Sequence, residues 1–425
     1  MQVTRQNSVS VIIVLFILVQ IGILFIFGPT PYHDSDCYVD AANKALAYGE
    51  LYPSVWQIRN DGFIWNIGAI DLVQVSLYLF GSVVPVLLLY SVFKGVTAWL
   101  FYQVTKKLTS GKIAFMALLI YVCYPANYGE STSLLSELPF MFFVFVSLYF
   151  AVCRESYILC AVFLVIANTF RPLSLLFLIA IIIYLLLRKK DVIRNCCRMI
   201  VAYVACIMLI GGLSYVRTGH FFYQATTGWY NFVQSNEFDN EIDLAANEHK
   251  IIPEARQLDC IEKDVIWRKR AIQWTMDNPD RYMSKWLHTL TYTYVSDNTG
   301  MCTFVADKDK KDDIYGEVSM PCLIRSFPHY SKVQILTVVN LAYYYMLLSL
   351  FIIGIGRIFR EYTHVAGLCV SVVLFGSMLL VLFSHAESRY HIPFMPFIIM
   401  MDACVISLYS RASSLPVSQR DRKQG

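Results

Sequence analysis

The sequence predicts an all-α polytopic membrane protein. Three observations carry that prediction. Hydrophobic residues make up 57% of the 425 residues and charged residues only 16%, against about 45–50% and about 25% in soluble domains. Mean hydropathy is +0.51. Apolar windows of roughly the 20 residues a helix needs to cross hydrocarbon recur along the chain. The same figures exclude a disordered chain, a collagen-like chain and an ordinary soluble enzyme. A net charge of +4 is too small for a binder driven by bulk charge, so no nucleic-acid partner is expected. Aromatic residues at 15% suit rings placed at bilayer interfaces.

The first window, Ser8 to Gly28, contains Gln20 as its one strongly polar residue. A cleaved signal peptide would have a shorter apolar core ending in small residues. This run continues to Phe27 before Gly-Pro-Thr-Pro, so it reads as an uncleaved span. Further windows cover 83–104, 113–128, 137–153, 157–170, 172–187, 196–215, 333–355, 364–384 and 392–409. About ten transmembrane helices are therefore expected. The apolar stretch from Phe63 to Phe80 carries Asn66 and Asp71 and is assigned to the extracytoplasmic interface.

The cations fix the orientation. With the N-terminus inside, the inner loops hold 16 of the 35 Lys and Arg residues and the short outer loops hold 4. The long loop holds 14 and is exempt from the positive-inside rule, and Lys94 lies within a span. Both termini are thus expected in the cytoplasm. The predicted organisation is an N-terminal membrane module, 1–216, whose first outer loop is 29–82. A large extracytoplasmic loop, 217–332, a C-terminal membrane module, 333–410, and a cytoplasmic tail, 411–425, follow.

Within the large loop, Leu258, Ile261, Val265, Ile272 and Met276 recur at helical multiples, so 254–277 reads as an amphipathic helix stopped by Asn278-Pro279. Tyr282, Trp286, Leu290 and Tyr294 repeat at four residues and predict a second helix with an aromatic face. That helix either contacts substrate or caps the membrane domain. Most of the 12 cysteines lie in spans, where a thiol is a small apolar filler. Cys302 and Cys322 are outside and either pair or stay free. The sequence contains no Cys-x-x-Cys, His-Glu-x-x-His, Walker loop or GxGxxG, so it carries no specific metal or nucleotide motif.

Charges at or within the membrane are costly, which makes each one a functional candidate. Asp34 and Asp36 follow the first span, with Tyr38 one helical turn beyond Asp34; helix capping is the alternative role for Asp34. Glu130 and Glu137 flank the start of the fourth span, where a dipole-favoured acid is the alternative. Arg171 sits between two apolar runs and either binds an anion or snorkels to the interface. Lys94 lies mid-span and needs a partner from another helix or a ligand phosphate. His385, Glu387, Arg389 and Tyr390 crowd the short loop between the last two spans, where Glu387 and Arg389 could simply pair. All but Lys94 fall at the outer face. Acids and cations there suit a reaction between an anionic, membrane-anchored substrate and a hydroxyl or amine that must lose a proton.

These residues resemble the GT-C superfamily of integral-membrane glycosyltransferases, which includes protein O-mannosyltransferases and the lipid A aminoarabinose transferase. Asp34-Ser-Asp-Cys-Tyr38 resembles the family's Asp-Glu-x-x-Tyr, with Ser35 in place of a glutamate. Gly62-Phe63 with Leu79-Phe80-Gly81 resembles its interfacial segment. Leu135-Ser-Glu137, Phe170-Arg-Pro172, and Glu387-Ser-Arg-Tyr390 with Pro393 and Pro396 resemble later motifs in family order. The resemblance implies a GT-C-like fold and transfer of a sugar from a polyprenyl-phosphate donor to a lipid, glycan or protein acceptor. The active site would be extracytoplasmic, and a bacterial inner membrane is favoured. It implies Asp34, Asp36 and Glu137 as catalytic residues, with either aspartate as the base. Tyr38, Lys94, Arg171, His385, Glu387, Arg389 and Tyr390 would bind substrate. Metal use varies across the superfamily, so the resemblance leaves a divalent metal open and makes no cofactor certain. The competing expectations are a polysaccharide polymerase of the O-antigen type, a lipid-linked-sugar flippase or transporter, and a membrane scaffold.

Overall fold

The computed structural model describes residues 2–30, 34–239, 241, 244–297, 301–305, 319–383 and 387–413. Its described residues form helices and loops, with no strand among them. Among the described residues, six helices are long and apolar enough to cross a membrane: Asn7–Phe27, Val84–Leu108, Val192–Thr218, Lys332–Glu361, Thr363–Phe383 and Ser388–Ser410. A seventh candidate is a broken pair, Pro125–Thr132 and Glu137–Cys153, bent by 112°. Every window expected to span does form helix. Three of them, Gly111–Cys123, Tyr157–Phe170 and Ser174–Arg188, have 13, 14 and 15 residues. At 1.5 Å per residue these measure only ~20–22 Å, so hydropathy windows overstate the length of the regular helix. Ile67–Phe80, assigned to the interface, is a 14-residue helix ended by Gly81 in the left-handed region, φ +62.

The last helix, Met395–Ser413, is the centre of the bundle. It packs against Lys332–Glu361, Gly111–Cys123 and Thr363–Phe383. Phe397, Ile398, Ile399, Met400 and Met401 are all fully buried, so this stretch is enclosed all round. The next residue, Asp402, is buried there too, with neither carboxylate oxygen hydrogen-bonded among the described residues. Small residues allow the close crossings usual between membrane helices. A Cβ on Gly354 would lie 2.1 Å from Val405 Cγ2. The outer helices show the opposite pattern. Leu18, Phe25, Leu209, Val216 and Ile352 expose more than half of their surface, a belt that lipid would cover.

The large loop folds into helices over its own small core of Tyr230, Phe232, Val233, Trp267, Ala271 and Trp274. The helix expected over 254–277 begins later, at Cys260. Asp259 sets that start. Its carboxylate accepts from the Ile261 and Glu262 amides at 2.9 Å, and Glu262 reaches back to the Asp259 amide at 3.0 Å. The aromatic helix runs Pro279–Tyr294, as its spacing predicts. It packs on Thr363–Phe383, and Tyr282 donates to the Leu382 carbonyl at 2.8 Å. That contact places it as a cap on the membrane helices. Cys322 is a free thiol; the side chain of Cys302 lies outside the described residues.

Candidate functional site

Four chain segments meet at one end of the bundle, and each arrives there for a local reason. Ser35–Ala47 buries Tyr38, Ala41, Ala42 and Ala45 at helical spacing against Ile67–Phe80. Asp34 occupies its N-cap position, yet the side chain makes no capping hydrogen bond. The helix break at 133–136 restarts the chain at Glu137. Non-helical backbone at this depth is tolerated only where protein encloses it. Here Gln20 donates to the Asn127 carbonyl at 2.8 Å, and Ser131 donates to Gln20 Oε1 at 2.7 Å. Arg171 precedes Pro172, which forces the residue before it out of helical geometry. Its φ of −150 and ψ of 135 end Tyr157–Phe170. Arg389 lies on the 3-10 turn Ser388–Phe394 that leads into the central helix.

Arg389 is the hub. Its Nη2 donates to Asp34 Oδ2 at 3.1 Å, its Nε donates to Glu387, and its Nε lies 3.7 Å from Glu137 Oε1. Glu137 pairs in turn with Arg171. The Tyr390 ring lies beneath both cations, 5.0 Å from the Arg171 guanidinium and 5.6 Å from that of Arg389. Two guanidiniums therefore face three carboxylates. Access separates the three acids. The Glu137 side chain is 3% exposed, whereas Asp34 and Glu387 are 27% and 23% exposed. Glu137 can hold the arginines but cannot meet an incoming hydroxyl. The Arg389 Nη1 group is buried and has no hydrogen-bond partner among the described residues. A guanidinium must carry its charge there, so that buried donor is left unsatisfied by the described residues.

Tyr38 lies under the same site. Its hydroxyl accepts from Asn66 Nδ2 at 2.8 Å, and Asn66 also donates to Ser136 at 3.2 Å. Burial, and then the charges of Asp34 and Glu137, push the phenol well up, so it remains a neutral hydroxyl. Asp36 follows Asp34 by two residues, which puts it on nearly the opposite helical face, and it is exposed. Of the two aspartates, Asp34 is the one hydrogen-bonded to Arg389.

For Lys94, the partner that the sequence leaves to another segment or a ligand comes from another segment. Lys94 is 5% exposed and pairs with Glu130. Its charge is thus balanced within the protein. A cavity of about 20 Å³, room for one water, lies among Lys94, Glu130, Glu137 and Asp297 and separates this pair from the Arg389 cluster. Sequence reasoning missed Asp297. It sits 3.4 Å from His391 Nε2, with both side chains essentially fully buried. No spacing signal links residues 94 apart; only the fold brings them together. His385 lies outside the described residues. Among those residues, no three or more His, Cys, Asp or Glu side chains gather as a metal site would require.

No family model matches the chain, and no curated protein matches it.

Proposed function

We propose that this protein is a membrane glycosyltransferase acting at the extracytoplasmic face. In this reading the ten apolar helices all cross the bilayer, the shorter ones completed by flanking turns, and both termini are cytoplasmic. The donor is a sugar on a polyprenyl phosphate. The observation that carries the reading is Arg389, a buried guanidinium with a spare donor at Nη1, tied directly to a partly exposed carboxylate, Asp34. In this reading Arg389 is the cation for a leaving phosphate and Asp34, in direct contact with it, the base for an attacking hydroxyl.

The chemistry follows from those positions. Asp34 takes the proton from the acceptor hydroxyl as its oxygen approaches the anomeric carbon. The new C–O bond forms while the bond to the phosphate oxygen breaks, and the electron pair leaves with the lipid phosphate. One displacement inverts the anomeric centre. Negative charge grows on the phosphate, where Arg389 and Arg171 stabilise it as preorganised cations. Glu137 keeps those two like charges in place. Tyr390 and Tyr38 shape the floor. The bent pair Pro125–Thr132 and Glu137–Cys153 favours a second reading, movement of a lipid-linked sugar across the membrane, because broken helices mark transport sites.

The test reconstitutes the full chain in liposomes containing radiolabelled polyprenyl-phosphate sugars. Transfer releases free polyprenyl phosphate and yields a product with inverted anomeric configuration. Retained configuration contradicts the single displacement. Movement of intact donor between leaflets without release establishes the transport reading instead.

A further inference from the structure

A second feature lies beside the cluster. A cleft of about 350 Å³ opens between Ser35–Ala47, the loop 60–65 and the outer helices, within the roughly 300–1,000 Å³ of small-molecule sites. One wall is aromatic. Phe63 lies edge-on to Trp65 at 4.9 Å and against Tyr230 at 4.8 Å, and Trp65 rests on Tyr38 at 5.8 Å. The facing wall is polar. Two of its pairs are closed: Lys44 with Asp40 at 2.7 Å, and Lys263 with Glu248 Oε2 at 3.0 Å. Two acceptors are not. Glu248 Oε1 is buried without a hydrogen bond, and no described residue donates to the Asp61 carboxylate. Burial also pushes the Asp61 carboxyl up from its ordinary range.

We propose that this cleft binds the terminal hexose of a neutral glycan, the acceptor of the transfer reaction. The word acceptor rests on the glycosyltransferase reading; the binding itself does not. A pyranose ring has a C–H face that packs on aromatic rings and a rim of hydroxyls that donate to carboxylates. Phe63, Trp65 and Tyr230 supply the first surface, and Asp61 and Glu248 supply the second, with the short O–H···O⁻ bonds that fix orientation. The groups left without partners here are carboxylate oxygens and both lysines are paired, so the cleft offers no donor to a phosphate or an acidic glycan. The cleft also leads to the right place. Cys37 lines it and stands one helical turn, about 5 Å, from Asp34. A sugar seated on the aromatic wall presents a hydroxyl toward that carboxylate.

The test measures binding of methyl glucoside, galactoside and mannoside to the full chain in nanodiscs, by ligand-observed saturation-transfer NMR and by calorimetry. At least one of the three binds the wild type in the millimolar range. Asp61→Asn and Glu248→Gln, both isosteric, weaken it by about tenfold each, and the corresponding hexose phosphate does not compete. Asp34→Asn, which lacks transfer activity, binds the hexoside within about threefold of wild type. The proposal is overturned if no methyl hexoside binds, or if both cleft variants bind like wild type. It is overturned equally if Asp34→Asn abolishes binding, because the sugar then sits at the cluster and not in the cleft. Intact hexoside binding by a chain that performs no transfer leaves the cleft standing and refutes the reaction, so the two failures are distinct.

Discussion

Replacing Arg389 with lysine keeps the charge and removes the geometry. The guanidinium serves Asp34 through Nη2 and Glu387 and Glu137 through Nε, while Nη1 is buried without a partner among the described residues. An ammonium on a flexible stem is a point charge and cannot hold three carboxylates in those directions. Each hydrogen bond to a charged group is worth about 1.5–3 kcal/mol. Lysine loses the bonds to Asp34 and Glu387 and regains one of them, a net loss of about 1.5–3 kcal/mol in positioning. If that loss falls on the transition state, kcat/KM drops by roughly 10- to 150-fold. The assay is initial-rate transfer from a polyprenyl-phosphate sugar in proteoliposomes, with thermal melting as a folding control. The fall is expected mostly in kcat, because the developing phosphate charge is what Arg389 meets. Activity within about threefold of wild type, in a correctly folded variant, would show that the fork at Arg389 has no part in the reaction.

Three further outcomes follow from the packing and the charges. Lys94→Met strands Glu130 in a buried setting and should cost about 3–5 kcal/mol, whereas Lys94→Met with Glu130→Leu should recover most of it; detergent melting curves that rank the double variant below the single one count against the pair as described. Gly354→Leu places a Cβ 2.1 Å from Val405 and drives Lys332–Glu361 off the central helix, lowering expression and melting temperature; a neutral effect contradicts that crossing. In the outer helix Cys260–Asp277, burial, offset in part by Arg268, pushes the Asp264 carboxyl up to about 6. A raised carboxyl favours the protonated fold, so ionisation costs stability as pH rises from about 4 through about 6. After discounting for partial exposure, that cost is about 1–2 kcal/mol at neutral pH. The wild type should therefore melt higher at pH 5 than at pH 7, and Asp264→Asn should flatten that difference; parallel wild-type and variant profiles argue against it.

Much of the candidate site was legible because ionisable residues are rare in apolar sequence and each needs a physical reason. Asp34, Glu137, Arg171, Glu387, Arg389 and Tyr390 were all visible as costly charges or their neighbours at the outer face, and the fold gathers them around one guanidinium. Ambiguities of role were settled by contacts the sequence does not encode. Asp34 sits where a cap would, yet it turns to Arg389. Arg171 was a candidate for snorkelling, yet Glu137 holds it inside. Lys94 needed a partner from another helix or a ligand, and the sequence could not name Glu130, 36 residues away. The His391–Asp297 contact was illegible for the same reason. Helix existence was readable from hydropathy. Helix length was not, because short helices such as Gly111–Cys123 give way to irregular but still apolar segments. The start at Cys260 was readable in principle from Asp259 and Glu262, a capping pair that the apolar periodicity overran.

The most direct measurement is the rate of sugar transfer from a polyprenyl-phosphate donor by wild type and by Asp34→Asn, inserted in liposomes at equal amounts. Asparagine preserves the size of the side chain and its contact with Arg389 but cannot take a proton. A lost general base should cost about 10²- to 10⁴-fold in kcat, with donor binding retained. Transfer by Asp34→Asn at the wild-type rate would place the base elsewhere and contradict the account.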